Sequence, residues 1–204
     1  MNILTQLRHR TQRFLRNDHG AMPVEGVLAS TFLIWWYIAS FQFFDAFRQK
    51  NINLKAAYTV ADLVSRQTQD LTPAYIDGLN TLFDYLTYSN KPTWIRVSVV
   101  EWDQANNRYD IYWSYATSSH SVQDVNTINT HTAQIPVMPE GDSVVLVETY
   151  MAYEPIFSMG LGARWFDTFI TTRPRFAAKV GFQGANVTAP TVHSDGTVDS
   201  SIES

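Results

Sequence analysis

The sequence predicts an α+β fold in which a long N-terminal transmembrane helix continues as a stalk, followed by a second helix and a small antiparallel sheet. Three observations lead to this. A long apolar run lies near the N-terminus, apolar residues then recur at helical spacing, and from Trp94 they alternate as in a strand. The expected divisions are a basic leader (1–20), a transmembrane and stalk helix (21–70), an α+β head (71–182) and a disordered tail (183–204).

The composition limits the classes of function that the chain can have. Its 204 residues leave room for one ordinary domain plus an anchor. The net charge is −4, although the leader is basic, so the rest of the chain is distinctly acidic. An acidic chain argues against a nucleic-acid partner. The absence of cysteine excludes disulfide scaffolds, thiolate metal sites and cysteine nucleophiles.

Residues Val24 to Phe44 have the length and composition of a membrane span. As a helix, about 21 residues reach roughly 32 Å, which matches a hydrocarbon core of about 30 Å. A buried core helix is one alternative, but the run from Val27 onward has no polar face. A cleaved secretory signal is another, but it should have a shorter apolar core that ends at small residues. We therefore expect the span to be retained.

The basic leader predicts the orientation of this span. Its arginines, between Arg8 and Arg16, favour the cytoplasmic side of the membrane. We therefore expect a single-pass protein with a cytoplasmic N-terminus and a head on the opposite side of the membrane. The aromatic run Trp35–Tyr37 falls near the middle of the span, although such rings usually prefer the interfaces. Either the helix sits deeper or shallower in the bilayer than a span over Val24 to Phe44 implies, or these rings pack against partner proteins.

Gly20, Ala21 and Pro23 predict a processing site at the start of the span. Proline is tolerated in the first turn of a helix, where its missing N–H would be unpaired anyway. The helix is therefore expected to begin at Pro23 and to leave Gly20 and Ala21 extended. A protease needs its scissile bond in an extended conformation, so the bond between Gly20 and Ala21 is the expected cleavage site.

Glu25 is the only charged residue between Val24 and Phe44. A carboxylate costs about 2.5–3.5 kcal/mol at the centre of a membrane helix and less near its edge. Cleavage after Gly20 would create an amino group at Ala21, and Glu25 could pair with that ammonium, most simply on a neighbouring chain. Glu25 would then set the register between subunits. In a plain anchor it would instead be a snorkelling carboxylate at the membrane edge.

These features together resemble the N-termini of type IV pilin-like proteins. The shared features are the basic leader, Gly20, the small Ala21, a glutamate at the fifth mature position and the long apolar helix. The chain looks most like the TadE/TadF-like minor pilins, or pseudopilins, of the Tad pilus-assembly system. That resemblance implies a place in the bacterial inner membrane with the head in the periplasm, and cleavage after Gly20 by a prepilin peptidase, with or without methylation of the Ala21 amine. It also implies recruitment by Glu25 into a fibre with other pilin subunits, and a role in an adhesive pilus.

Two features separate the chain from the major pilins of that system. Those pilins are much shorter and have tyrosine after the glutamate, where this chain has Gly26. The difference favours a minor subunit, without deciding between the TadE-like and TadF-like types. Residues 153–155 and 172–175 also resemble segments near the ends of such chains.

The elements beyond the span follow from changes in periodicity. Apolar residues at roughly heptad spacing, which are Phe47, Leu54, Ala57, Ala61 and Val64, continue the helix towards Gln69. Thr72 and Pro73 predict the N-cap and first position of a second helix. A β-hairpin is expected over 94–115, a long loop over 117–141, and further strands over 144–153 and 168–182.

The sequence contains no strong catalytic motif, so we expect neither an enzyme nor a cofactor. His120, His131 and His193 lack the spacing that places two imidazoles on one helix face. Gly160-Leu161-Gly162 lacks the context of a dinucleotide loop and predicts a turn, and Asn186-Val187-Thr188 is an isolated glycosylation sequon. Arg173 and Arg175 could bind an acidic partner or simply mark an exposed strand end.

Three functions remain open from the sequence. The first is the pilin-like assembly subunit. The second is an uncleaved, membrane-anchored binding protein whose head recognises a periplasmic or surface ligand. The third is a membrane-tethered hydrolase, which the absence of a clustered nucleophile and base makes the weakest.

Overall fold

The computed structural model describes residues 21–157 and 160–184. Helix α1 is Ala21–Ser65, and helix α2 is Pro73–Thr87. The strands are β1 (Thr93–Asp103), β2 (Arg108–Ala116), β3 (Ser143–Tyr153) and β4 (Arg164–Thr172), and they form an antiparallel sheet in the order β2-β1-β3-β4. Between β2 and β3 lie the short helix α3 (Val125–Ile128) and 3₁₀ turns at Thr117–Ser119 and Thr132–Gln134. The predicted α+β fold is confirmed.

The chain divides into two compact units within α1. The N-terminal unit ends at Asp45, and its described part is the apolar portion of α1. The C-terminal unit begins at Ala46 and contains the rest of α1, α2 and the sheet. The portion of α1 that was expected to be a stalk is therefore built into the same packed unit as the sheet.

One face of the sheet packs against α1 and α2. The buried apolar side chains of α1 follow a helical spacing of three and four residues, and they are Ala56, Ala57, Val60, Ala61 and Val64. Such small residues let the helix backbone approach the sheet closely. From the predicted apolar stripe, Phe47 and Leu54 are exposed instead, so the packed portion of α1 begins close to Asn53.

Helix α2 begins where the sequence predicts it. Thr72 has extended backbone geometry, and its hydroxyl accepts a hydrogen bond from the Tyr75 N–H at 3.2 Å. This satisfies one of the N–H groups that every helix leaves unpaired at its start. The helix ends at Thr87, and its C-cap Tyr88 adopts a left-handed conformation with φ of 51°.

A β-bulge interrupts the β1–β2 hairpin. Val99 is opposite Trp113, whereas Val100 is opposite Ile111, so Tyr112 is an extra residue on β2. The sequence predicts one uninterrupted alternation from Tyr109 to Tyr115, and that expectation is wrong in detail. The extra residue places Ile111 in the core on one face of the sheet and Trp113 in the core on the other.

The segment 117–141 covers part of the second face of the sheet. It was expected to be a long loop, but it contains α3 and two 3₁₀ turns. It contributes Ile128, Ile135 and Met138 to a second core cluster with side chains of β1, β2 and β3. The C-terminal unit therefore has three layers: helices, sheet and this covering segment.

The last predicted strand is shorter than expected. The prediction was 168–182, whereas β4 ends at Thr172, just before Pro174, which cannot donate to a ladder. The chain from Arg173 onward runs towards β2, at the opposite edge of the sheet. There the Val180 carbonyl accepts a hydrogen bond from the Trp113 indole at 2.8 Å. An isolated bridge then joins Phe182 to Leu71.

Candidate functional site

The apolar portion of α1 exposes large side chains around its whole circumference. Val27, Leu33, Ile34, Trp36 and Tyr37 are all at least 60% exposed. Among the described residues, α1 is the one helix with the length and composition to cross a membrane. An apolar surface of this extent marks a contact with lipid or with other apolar chains.

Glu25 lies on this surface with an exposed side chain. Because α1 is helical from Ala21, Glu25 is four residues, or about one turn, beyond Ala21. The carboxylate has no hydrogen-bond or ion-pair partner within the described ranges 21–157 and 160–184. A charged group is thus presented at one end of an apolar surface, next to the backbone of Ala21.

Of the predicted processing site, Ala21 and Pro23 lie within the described chain, whereas Gly20 and the leader do not. Ala21 is already helical, so the prediction that the helix starts at Pro23 and leaves Ala21 extended is wrong. Pro23 is the third residue of the helix as described, where its missing N–H still falls among those without a helical partner.

The aromatic residues in the middle of the apolar portion form a surface feature of their own. The ring of Phe32 lies 6.1 Å from that of Trp35 and 6.4 Å from that of Trp36, measured between centroids. Next to them is a groove of about 550 Å³ lined by Leu33, Ile34, Trp36, Tyr37 and Ser40. The groove is shallow and apolar, so its shape suits another helix or a lipid chain.

A polar cluster that the sequence did not predict lies on the second face of the sheet. Arg96 of β1 and Glu148 of β3 are cross-strand partners, and only 8% and 5% of their surfaces are exposed. Nε and Nη2 of Arg96 donate to the two Glu148 carboxylate oxygens at 2.6 and 2.7 Å. This bidentate pairing is the strongest geometry available to an arginine and a carboxylate.

Three more hydrogen bonds complete the cluster. Arg96 Nη1 donates to the Ser121 carbonyl at 3.1 Å, which connects the covering segment to the sheet. Arg96 Nη2 also donates to the Tyr150 hydroxyl, which donates in turn to Glu148 Oε1, both at 3.2 Å. Burial, then the charge of Glu148, raises the pKa of Tyr150 to about 12. Every polar group of the cluster has its partners within the fold.

Aromatic rings flank this ion pair. Trp94 stacks on Tyr150 at 3.7 Å and on His120 at 4.2 Å between ring centroids. The Arg96 guanidinium carbon lies 5.7 Å from the Trp94 ring and 5.9 Å from that of Tyr150. Because Tyr150 and His120 both stack on it, Trp94 offers little free ring surface to a ligand. The arrangement is a packed cluster of the fold.

The other predicted positions take structural roles where they are described. His131 stacks on Phe169, and no group of three metal-ligating side chains occurs in the described chain. Gly160, in the predicted turn, has a φ of 83° and lies at a bend. His193 and the sequon at 186–188 lie outside the described residues, as does the tail beyond Gly184.

Arg173 and Arg175 pair within the fold. Arg173 lies 3.3 Å from Asp142, and Arg175 lies 3.0 Å from Asp62 of α1. Both side chains remain more than half exposed. They hold the segment after β4 against α1 and against the start of β3.

Asn53 is the other residue that sequence reasoning missed. It is fully buried on α1. Its Nδ2 donates to the Phe166 carbonyl at 3.2 Å, and its Oδ1 accepts hydrogen bonds from the hydroxyls of Thr168 at 3.1 Å and Thr149 at 3.3 Å. A lone asparagine inside the helical pattern gave no signal, because its partners are about a hundred residues away.

No family model, no curated protein and no solved structure matches this chain.

Proposed function

We propose that the chain is a minor pilin or pseudopilin subunit that takes part in the assembly of a Tad-type adhesive pilus. A prepilin peptidase cleaves it between Gly20 and Ala21. The mature subunit crosses the inner membrane once with its C-terminal unit in the periplasm, and it joins other pilin subunits through α1. It has no enzymatic activity and needs no cofactor.

The observation that carries this proposal is the placement of Glu25. The carboxylate stands at one end of a helix surface that is otherwise uncharged and mostly apolar. A plain anchor is more stable without that charge, because a carboxylate at a membrane helix is costly. A subunit that must match its helix to a cationic amine on a neighbour has a use for it.

The helical geometry allows the Glu25 carboxylate to pair with the Ala21 ammonium of its own chain or with that of a neighbouring chain. After cleavage, the new ammonium at Ala21 is one turn from Glu25 of the same chain, within reach of an i,i+4 contact. In a fibre, the ammonium of an adjacent chain competes for the same carboxylate. Exchange of the internal partner for an external one would favour a single axial register between α1 helices.

The fold of the C-terminal unit also supports a role as an assembly subunit. The helix that carries Glu25 is the same helix that Asn53 connects to β3 and β4. The C-terminal portion of α1 is therefore a packed part of the unit that a fibre would display.

The test compares variants at Glu25 with a matched neutralisation at the other end of the apolar run. Glu25→Gln should abolish or strongly reduce piliation seen by electron microscopy, while leaving the protein processed and in the membrane. Asp45→Asn, which removes the same charge just beyond Phe44, should leave piliation intact. Normal piliation with Glu25→Gln would refute the assembly role and favour an uncleaved, anchored binding protein.

A second pair of variants tests processing. Gly20→Arg should block removal of the leader, because the peptidase site would carry a bulky cation. Asn17→Arg places the same side chain three residues earlier and should be cleaved normally. Gel mobility of the membrane fraction separates the two forms. Cleavage of both variants alike would contradict the assignment of Gly20.

A further inference from the structure

We infer that one end of the C-terminal unit rests on the lipid bilayer and inserts apolar side chains into its interface. We call it the proximal end, defined by Tyr88, Ile156, Phe157, Arg164 and Trp165. The inference rests on the proposed membrane span, and it adds a second, peripheral contact with the same membrane.

Contacts between α1 and β4 show which end of the unit this is. Arg175, just after β4, donates its N–H to the Ser65 carbonyl at the C-terminal end of α1, at 2.8 Å. Phe166, near the start of β4, accepts from Asn53, twelve residues earlier on the helix. Both elements therefore run in the same direction. The loop before β4 lies towards Ala46, where the chain enters the unit.

The lengths of helix and strand on the Ala46 side of the contact between Asn53 and Phe166 place this loop at the level of Ala46. From Asn53 back to Ala46 is about 10 Å along the helix at 1.5 Å per residue. From Phe166 back to Arg164 covers about 7 Å of strand at 3.3 Å per residue. The loop between Tyr153 and Arg164 easily spans the remaining few ångströms. Ala46 follows Phe44, the last residue of the apolar run, by two positions.

The loop between α2 and β1 lies at the same end. Pro92 precedes β1, and its carbonyl accepts the N–H of Ala152, near the end of β3, at 3.1 Å. Lys91 also pairs with Glu154. Tyr88, at the end of α2, is therefore brought towards the loop that contains Ile156 and Phe157.

The side chains at this end have the chemistry of a membrane interface. Tyr88 is 80% exposed, Ile156 71%, Trp165 50% and Phe157 45%. Tryptophan and tyrosine prefer the boundary between lipid chains and head groups. Arg164 is exposed and has no acidic partner among the described residues, so its guanidinium is available to a lipid phosphate.

The distal end offers a control position. Val137 is 92% exposed and follows Pro136, whose carbonyl accepts a hydrogen bond from Tyr109 at the start of β2. The start of β2 lies beside the end of β1, at the opposite end of the sheet from Thr93. Val137 is thus an equally exposed apolar residue that should face water.

The absence of cysteine makes a direct test possible. The full chain is prepared with a single substitution, Ile156→Cys, Tyr88→Cys, Val137→Cys or Ile34→Cys, and each variant is labelled with a nitroxide. The variants are reconstituted at low density into vesicles of phosphatidylethanolamine with a minority of phosphatidylglycerol. Paramagnetic resonance then measures how accessible each label is to oxygen, which concentrates in lipid, and to a water-soluble nickel chelate.

The expected result is an oxygen-to-nickel accessibility ratio several-fold higher at positions 156 and 88 than at 137. If these two labels match the label at 137 while the label at 34 lies in lipid, the inference is wrong and the membrane span stands. If the label at 34 is also in water, the span proposed for the function fails as well. Shielding of 156 from both reagents only at high protein density would identify a second copy as the occupant, and would overturn the lipid contact.

Discussion

Arg96 and Glu148 are the residues whose burial demands the most of the fold. Two charges removed from water lose several kcal/mol of hydration each, and only close, well-directed contacts compensate. Here two short hydrogen bonds join the pair, and Ser121 and Tyr150 take up further polar atoms. The pair therefore joins the covering segment to the sheet, and its charged groups are already hydrogen-bonded within the fold.

Removing one partner of this pair should be strongly destabilising. Glu148→Gln leaves a buried guanidinium without its counter-charge, and we expect a loss of about 3–5 kcal/mol in the free energy of unfolding. The double variant Arg96→Met/Glu148→Leu should lose much less, because it removes both charges together. Urea unfolding of the full chain in detergent micelles, followed by tryptophan fluorescence, measures the difference. Equal losses in the single and double variants would contradict a compensated buried pair.

Tyr150 gives this cluster a characteristic pH dependence. Its pKa of about 12 in the folded chain exceeds the ordinary value of 10.0. The unfolded chain therefore releases the tyrosine proton first as pH rises, so the stabilisation is complete below pH 10 and is lost between about pH 10 and 12. Tyr150→Phe should flatten the loss of stability over that range. An unchanged slope in the variant would show that Tyr150 does not titrate as described.

At the scale of elements, the connection between α1 and the sheet depends on Asn53. Asn53→Ala would leave two threonine hydroxyls and the Phe166 carbonyl without this partner in a buried site. We expect a loss of about 1–3 kcal/mol in the free energy of unfolding, the usual range for orphaned buried polar groups. Asn51→Ala, at an exposed position two residues earlier on α1, is the matched control and should change little. Urea unfolding in micelles compares the two.

Short sequence patterns predicted the elements whose formation depends mainly on neighbouring residues in the chain. Thr72 and Pro73 indicated the start of α2, and the alternation around Val97 indicated a strand. The bulge at Tyr112 was missed because the polar–apolar alternation continues unbroken through it. The prediction for 117–141 failed because its few apolar residues, such as Ile128 and Ile135, become significant only once a sheet face lies beneath them.

The residues of the candidate sites also differ in whether the sequence alone could identify them. Glu25 could be singled out because an isolated charge in an apolar run is visible in the sequence alone. Asn53, Arg96 and Glu148 could not, since each looks like an ordinary polar residue on the outer face of its own element. Only the pairing of β1 with β3, and the packing of α1 on β4, bring their partners within reach.

At the scale of the whole molecule, α1 belongs to both compact units. Its N-terminal portion presents an apolar surface with Glu25 at one end, and its C-terminal portion is part of the core beneath the sheet. Under the proposed function, the N-terminal portion would contact other subunits and the C-terminal unit would be displayed on the fibre.

The most direct test of the central claim is the intact mass of the wild-type protein extracted from the membrane of the cell that makes it. The account predicts a chain that begins at Ala21, with or without a methyl group on its new amine, and that has lost residues 1–20. A mass that corresponds to the chain beginning at Met1, in cells that produce functional pili, would contradict it.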